Sequence, residues 1–111
     1  MTIPEIVAIN ATSESWGNDL DDFYIQIQAD IGPKGGKGSE TFTFYAVSPK
    51  RLQHLLDGKQ IRIGRGLLIM NDYDIKLIEA TIERLVDTCR KETWDEVAMN
   101  ISKYAYWEYD G

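Results

Sequence analysis

Residues 23–31 read Phe-Tyr-Ile-Gln-Ile-Gln-Ala-Asp-Ile, so apolar and polar side chains alternate without interruption. Successive side chains of a β-strand point to opposite faces, so this alternation predicts a strand with one apolar face and one wet face. Residues 41–47 alternate in the same way, with Phe42 and Phe44 on the apolar face. The glycine-rich segment 32–40 between them predicts a long hairpin loop, and we therefore expect the two strands to pair antiparallel.

A further strand is predicted on each side of this hairpin. Residues 3–11 are rich in Ile, Val and Ala. Residues 66–70 read Gly-Leu-Leu-Ile-Met, and a continuous apolar run of this kind is typical of a strand in the interior of a sheet. Between the hairpin and this run, Ser48 followed by Pro49 has the signature of a helix start, and Gly58 lies where a helix would end. We expect a short helix there.

Two more helices are predicted in the last third of the chain. From residue 74 onward the apolar side chains recur at helical spacing and form one stripe, namely Ile75, Ile78, Ile82, Leu85 and Cys89. Thr93 and Glu96 have the spacing of a capping box, and the apolar positions after them predict a helix that continues to Tyr104 or Ala105.

The predicted order of elements is therefore β-β-β-α-β-α-α. Strands come early and helices late, which favours an α+β fold: an antiparallel β-sheet of about four strands with helices packed on one face. A length of 111 residues fits one domain over residues 1–111. In this domain we expect one core shared by Ile25, Ile27, Phe42, Phe44, Ile78, Ile82 and Leu85.

The composition is that of an ordinary globular protein. The hydrophobic share is 43% and the formal net charge is −6, and this acidic balance argues against nucleic acid or a membrane surface as a partner. The apolar runs are too short to span a membrane, and the start Met-Thr-Ile-Pro-Glu lacks the basic and apolar stretches of a signal peptide. We therefore expect a cytoplasmic protein.

Charges and aromatic residues are distributed unevenly. Residues 1–33 contain acids and no Lys or Arg, residues 34–65 are mostly basic, and residues 66–111 are acidic again. Aromatic side chains occur among the acids, namely Trp16, Tyr24, Tyr73, Tyr106, Trp107 and Tyr109. Trp and Tyr dominate binding interfaces, and neighbouring acids suit a basic protein partner. Trp94 and Trp107 fit the core equally well.

The glycine-rich loop 32–39 carries two lysines, which raises the question of phosphate binding. A phosphate-binding P-loop requires Ser or Thr directly after its Lys and a helix after that. Here Gly38 follows Lys37, and a strand follows the loop. The loop is therefore interpreted as a hairpin tip, and a small ligand-binding protein or enzyme that uses loop 32–39 remains the alternative function.

No catalytic, cofactor or metal site is predicted. His54 is the only histidine and Cys89 the only cysteine, and they lie on different predicted helices, so a zinc ligand set cannot be assembled from them. We expect His54 on the surface and Cys89 as a small buried side chain. No twelve-residue calcium loop with a closing Glu is present among the acids.

Five stretches together resemble the immunity protein 8 family. They are residues 23–35, residues 38–50, residues 64–74, the run Trp-Asp-Glu-Val at 94–97 and the close Trp-Glu-Tyr at 107–109. The resemblance implies a small α+β protein in the bacterial cytoplasm that neutralises the toxic C-terminal domain of a polymorphic toxin, including effectors of contact-dependent growth inhibition. Members of the family are not enzymes, and the family offers no catalytic motif to transfer.

An acidic inhibitor suits a basic toxin, so a nuclease such as a ribonuclease is the first expected target, with pore-forming and deaminase toxins left open. We expect binding by acids at strand ends and in loops, where side chains are free to reach a partner: Glu14, Asp19, Asp21, Asp22, Asp72 and Asp74. Trp16 is the expected anchor within this acidic loop region. Trp107, Glu108 and Tyr109 form a second candidate patch. The toxin would be covered at its active site, or inhibited from an exosite.

Overall fold

The computed structural model describes residues 1–58 and 61–109. Its elements, in chain order, are β1 (Pro4–Trp16), β2 (Phe23–Pro33), β3 (Glu40–Val47), α1 (Pro49–Leu55), β4 (Leu67–Ile69), α2 (Ile75–Asp87), α3 (Trp94–Ile101) and β5 (Tyr106–Trp107). The predicted α+β fold and the order of its first seven elements are confirmed. A two-residue strand is added at the end, so the sheet has five strands.

The hairpin of β2 and β3 forms the centre of the sheet. The two strands pair antiparallel, with Ile27 opposite Phe44 and Tyr24 opposite Val47. β1 pairs antiparallel with the other side of β2, and its register shifts twice, once around Val7 and once around Thr12. These shifts are β-bulges in a strand at the outer edge of the sheet.

One face of the sheet is covered by α2 and α3. The alternate residues of β2 and β3 that include Ile25, Ile27, Phe42 and Phe44 are fully buried there, and they pack against the buried faces of the two helices, among them Ile78, Ile82, Val97 and Ile101. Leu85 is partly buried and packs against the same cluster. The expected shared core is confirmed.

The predicted position of the fourth strand is wrong. β4 contains only three residues and lies at an edge, where it pairs parallel with β3; its last residue, Ile69, is 58% exposed. The chain passes through α1 before it returns to the sheet, and this crossover produces a parallel neighbour on the outside of β3. The sheet is therefore mostly, and not wholly, antiparallel.

The last helix is shorter than predicted. α3 ends at Ile101, and the chain turns back so that β5 pairs with β3, with Trp107 opposite Phe42 and Tyr106 opposite Thr43. The aromatic residues after Ile101 gain more from lying along the sheet than from continuing a helix, because Trp107 stacks on the buried Phe42 ring.

The starts of α1 and α3 follow the predicted capping chemistry, and α2 has a cap that was not predicted, Asp74. Ser48, Asp74 and Thr93 each cap a helix by accepting backbone N–H groups, which otherwise lack partners in the first turn. Ser48 is fully buried, and its hydroxyl also accepts the N–H of Phe23 at 3.1 Å. The start of α1 is thereby fixed to the start of β2, which positions the charged groups described next.

Candidate functional site

Most of the predicted acidic residues converge at one end of the sheet. Here we call this region the acidic end and define it by Glu14, Trp16, Asp19, Asp21, Asp22, Asp72 and Asp74. Trp16 connects its parts, because its ring lies 5.3 Å from Phe23 and 5.8 Å from Tyr73, between centroids. Glu14 and Trp16 lie at the end of β1 and not in a loop as predicted, since β1 extends to Trp16.

Trp16 is held in one orientation. Its indole N–H donates to a carboxylate oxygen of Glu14 at 3.0 Å, and its ring meets Tyr73 edge to face. Burial raises the pKa of Tyr73, and the negative charge of Glu14 adds to the effect. Since Trp16 remains 39% exposed, a rigid aromatic surface with an adjacent carboxylate is presented to solvent.

Asp19 and Asp21 lie on the exposed turn between β1 and β2. Both carboxylates approach the ammonium group of Lys50, at 2.8 and 3.5 Å. The hydrogen bond from Lys50 holds the pKa of Asp19 below its ordinary value, and the positive charge of Lys50 makes a smaller contribution in the same direction. Asp19 is therefore ionised at neutral pH, and both acids remain in contact with water.

Asp22 is not free to reach a partner, contrary to the expectation from sequence. It is only 8% exposed, and its carboxylate accepts from Arg51 Nε at 2.6 Å and lies 3.7 Å from His54 Nδ1. Arg51 also donates to Ser15 Oγ at 3.0 Å. Asp22 therefore joins the turn to α1 and β1, and it positions the neighbouring acids instead of projecting outward.

Asp72 and Asp74 flank Tyr73 on the segment before α2. Asp72 is exposed. One carboxylate oxygen of Asp74 accepts the N–H groups of Lys76 and Leu77 at 3.1 and 3.2 Å, so this residue serves as the helix cap. The contact between Tyr73 and Trp16 brings these two acids to the same end of the sheet as Glu14.

The predicted C-terminal patch lies elsewhere, because β5 pairs with the first half of β3. Trp107 packs flat on Phe42, and its indole donates to Glu40 at 2.7 Å. A carboxylate oxygen of Glu108 accepts the N–H of Thr41 at 3.0 Å. Trp107 and Glu108 therefore fasten β5 to the sheet, whereas Tyr109 remains well exposed.

The remaining reactive side chains, His54 and Cys89, lie in different parts of the fold, one in α1 and the other just after α2. His54 is exposed, as expected, and Cys89 is buried, which raises the pKa of its thiol. Within residues 1–58 and 61–109, no group of three or more His, Cys, Asp or Glu side chains could hold a metal ion. Over the same residues, no helix is both long enough and apolar enough to cross a membrane.

Loop 32–39 forms the hairpin tip that was predicted. Gly35 and Gly38 have positive φ angles of 78° and 82°, a conformation that glycine adopts without strain. An open cavity of about 400 Å³ lies beside the loop and is lined in part by Pro33, Lys34 and Gly36. The P-loop arrangement of a glycine-rich turn leading into a helix is not formed, because β3 follows the loop.

The fold is thus that of a small α+β domain with acids gathered at one end of its sheet. The sequence matches the family model described as Immunity protein 8 over residues 5–111. The chain therefore belongs to the immunity protein 8 family, and the resemblance noted from the sequence is confirmed. This membership implies an immunity protein whose partner is the cognate protein of a polymorphic toxin system. Comparisons with curated proteins and with solved structures find no match.

Sequence reasoning missed one exposed surface. Tyr24 and Tyr106 were recognised as surface aromatics, but their contact with Tyr45 depends on strand register. Ile61 and Ile63 lie in the link between α1 and β4, where they are almost fully exposed. The signal in the sequence was weak, because two isoleucines around an arginine are also compatible with a buried strand.

Proposed function

We propose that this protein neutralises the C-terminal domain of a contact-dependent growth inhibition toxin in the bacterial cytoplasm, and that it does so as an inhibitor without catalytic activity. The proposed target is a basic nuclease such as a ribonuclease. The observation that carries the proposal is the acidic end, where Glu14 holds the partly exposed Trp16 and the exposed acids Asp19, Asp21 and Asp72 lie at the same end of the sheet. In a chain of the immunity protein 8 family, this surface supports binding of a basic protein partner.

The acids and the aromatic ring have separate tasks in this proposal. Exposed carboxylates attract a basic groove over a distance and raise the association rate, whereas a buried anchor mainly slows dissociation. Asp19 and Asp21 are the steering groups. Both carboxylates contact the charged ammonium group of Lys50, and both stay exposed to solvent. Trp16 is the anchor, because its orientation is already fixed by Glu14 and Tyr73.

Inhibition follows from where the carboxylates would lie in the complex. A nuclease binds the phosphates of its substrate with basic side chains. Carboxylates of the acidic end would occupy those positions and cover the substrate groove. Glu14 and Asp72 would be carried into the groove with Trp16, because the contact between Trp16 and Tyr73 fixes them on one surface.

The test is co-expression with the toxin domain encoded by the neighbouring gene, followed by purification of the complex and kinetic measurement of binding. The double variant Asp19→Asn/Asp21→Asn removes charge from the steering groups and leaves Asp22 intact. We expect a fall of about tenfold in the association rate constant at low salt, with little change in dissociation. Glu83→Gln/Glu92→Gln removes the same charge from exposed residues elsewhere and is the matched control.

Two results would contradict the proposal. One is the absence of a complex between the wild-type protein and the neighbouring toxin domain. The other is a complex in which the toxin still degrades its substrate at the uninhibited rate. A third result would change only the mechanism. If the complex no longer degrades the nuclease substrate but its groove still admits a small substrate, inhibition acts from an exosite.

A further inference from the structure

The sheet face opposite the core carries a row of tyrosines. The rings of Tyr24 and Tyr45 stack with 5.2 Å between centroids and an interplanar angle of 19°. Tyr106, in β5, meets Tyr45 edge to face at 6.1 Å. We call these three residues the tyrosine face. Tyr24 and Tyr45 are partly buried and Tyr106 is exposed, and none of the three rings belongs to the core cluster.

The link between α1 and β4 is fixed to this face at one end. The guanidinium of Arg65 lies 4.7 Å from the centre of the Tyr106 ring and donates to the carbonyl oxygen of Ala105 at 3.0 Å. Gly66 follows with a φ of 80°, and a Cβ at this position would lie 3.1 Å from the Tyr106 ring. Only glycine lets the chain pass this closely beneath the ring without strain.

Residues 61–63, which we call the strap, precede this anchor and present a distinctive set of side chains. Ile61 is 84% exposed and Ile63 is 86% exposed. Arg62, between the two isoleucines, interacts with Tyr24. Burial raises the pKa of Tyr24, and the positive charge and hydrogen bond of Arg62 act in the opposite direction. No carboxylate among the described residues forms an ion pair with Arg62.

The strap and the tyrosine face have the composition of an interface centre. Tyr, Arg and large apolar residues are enriched at such centres, while Lys, Glu and Asp are depleted. Among the residues of β2 and β3 on this face, Asp30 is the only acid, and its carboxylate accepts from the Thr41 hydroxyl at 2.9 Å. The two largely exposed isoleucines of the strap are more apolar surface than an isolated exposed side chain would explain.

We propose that the strap and the tyrosine face form a second contact surface for the toxin domain, and that this surface takes an apolar patch of the toxin with a carboxylate at its centre. The proposal rests on the proposed function. A protein partner is implied by membership of the family. A carboxylate would complement Arg62, whose positive charge no described acid pairs with.

The two surfaces adjoin and can contact the same toxin domain. Tyr24 lies opposite Ser15 in the strand register, one residue before Trp16 of the acidic end. Their charges differ in sign, since the acidic end is negative and the strap carries Arg62. A toxin that places basic groups on the first surface and a carboxylate on the second can bind in only one orientation.

The test measures dissociation of the toxin domain encoded by the neighbouring gene from variants of this chain. Ile61→Ser/Ile63→Ser removes the apolar contacts and Arg62→Glu reverses the charge. All three side chains are exposed, so these variants should fold, as thermal unfolding will show. We expect dissociation to accelerate at least about tenfold in each variant. Leu77→Ser/Met99→Ser and Arg84→Glu, which change exposed residues of α2 and α3, should dissociate within about twofold of the wild-type rate.

Several outcomes would overturn this inference and leave the proposed function standing. One is that the strap variants dissociate like the wild type while Asp19→Asn/Asp21→Asn slows association. Another is that the wild type forms a concentration-dependent dimer in analytical ultracentrifugation and that Ile61→Ser/Ile63→Ser abolishes this dimer. The surface would then bind a second copy of the chain and not the toxin. A third is binding of a labelled single-stranded oligonucleotide that Arg62→Glu abolishes. Failure of the toxin to bind the wild type would instead overturn both proposals.

Discussion

Trp94 and Trp107 donate their indole N–H groups to the two oxygens of one carboxylate, that of Glu40, at 2.8 and 2.7 Å. Trp94 begins α3, Trp107 lies in β5, and Glu40 begins β3. One acid therefore joins a helix and the last strand to the central hairpin. Both rings also pack against Phe42, so the polar contacts direct the packing of a large apolar surface.

Glu40→Gln should destabilise the fold by about 1–3 kcal/mol, because a single amide oxygen cannot accept at both former oxygen positions. The measurement is the free energy of unfolding in urea, followed by tryptophan fluorescence. Glu92→Gln changes an exposed acid two residues before Trp94 and should alter stability by less than about 0.5 kcal/mol. Equal stability of the two variants would mean that the indole contacts contribute nothing.

Ile82→Ala should cost about 2–5 kcal/mol, since Ile82 is fully buried between α2 and the sheet and its truncation leaves a cavity. Leu77→Ala on the same helix is the control, because Leu77 is largely exposed and its truncation should cost less than about 1 kcal/mol. Equilibrium unfolding measures both. A loss below about 0.5 kcal/mol at Ile82 would contradict the assigned core face of α2.

The ion pair of Asp22 and Arg51 should contribute more to stability than the pair of Asp19 and Lys50, because the first is largely buried and the second is exposed. Arg51→Gln leaves a buried carboxylate without its cation and should cost about 3 kcal/mol. Lys50→Gln, one residue earlier, should change stability much less, because Lys50 and its two partner carboxylates are exposed to solvent. A double-mutant cycle with Asp22→Asn measures the coupling, and additive effects would argue against the buried pair.

Cys89 should react slowly with iodoacetamide in the native protein and rapidly after unfolding, because burial raises the pKa of its thiol and blocks access. Because folding raises the pKa of this thiol, the unfolded chain loses the thiol proton first, at a pH near the ordinary thiol pKa of about 8.5. The free energy of unfolding should therefore decrease as the pH rises from this value toward the higher pKa of the folded protein. Stability should therefore fall over this window in the wild type and fall less in Cys89→Ala. Parallel pH profiles would show that Cys89 does not contribute.

Association with the toxin domain should slow as salt is added, because the screening length shortens to about 8 Å at physiological ionic strength. The slope against ionic strength should be smaller for Asp19→Asn/Asp21→Asn than for the wild type, since fewer charges remain to be screened. Stopped-flow tryptophan fluorescence follows the reaction, because Trp16 is partly exposed at the proposed contact. An association rate that is insensitive to salt would contradict electrostatic steering.

Strand alternation predicted the centre of the fold, because residues 23–31 and 41–47 each have one apolar face, which a register slip of one residue would expose to water. It could not place β4, since an apolar run looks the same at the edge and in the interior of a sheet. β5 was missed because two residues carry no period, and its formation depends on stacking of Trp107 against Phe42.

The candidate site was predicted in part. The acids were identified as a group from the sequence, and Trp16 was placed among them. Their individual environments depend on contacts between distant residues, such as that of Asp22 with Arg51, which local patterns do not contain. The strap escaped notice for the same reason, because exposure of Ile61 and Ile63 is set by how Arg65 and Gly66 attach the link to Tyr106.

The bulges at Val7 and Thr12 have a consequence for the free protein in the cell. β1 is a long strand with an outer edge that no other described strand covers, and such an edge can template pairing with other chains and start aggregation. Two bulges twist and interrupt the row of backbone groups, so a second strand cannot add along its whole length. For the proposed inhibitor, which would have to accumulate before its target arrives, this interrupted edge disfavours pairing between copies of the chain.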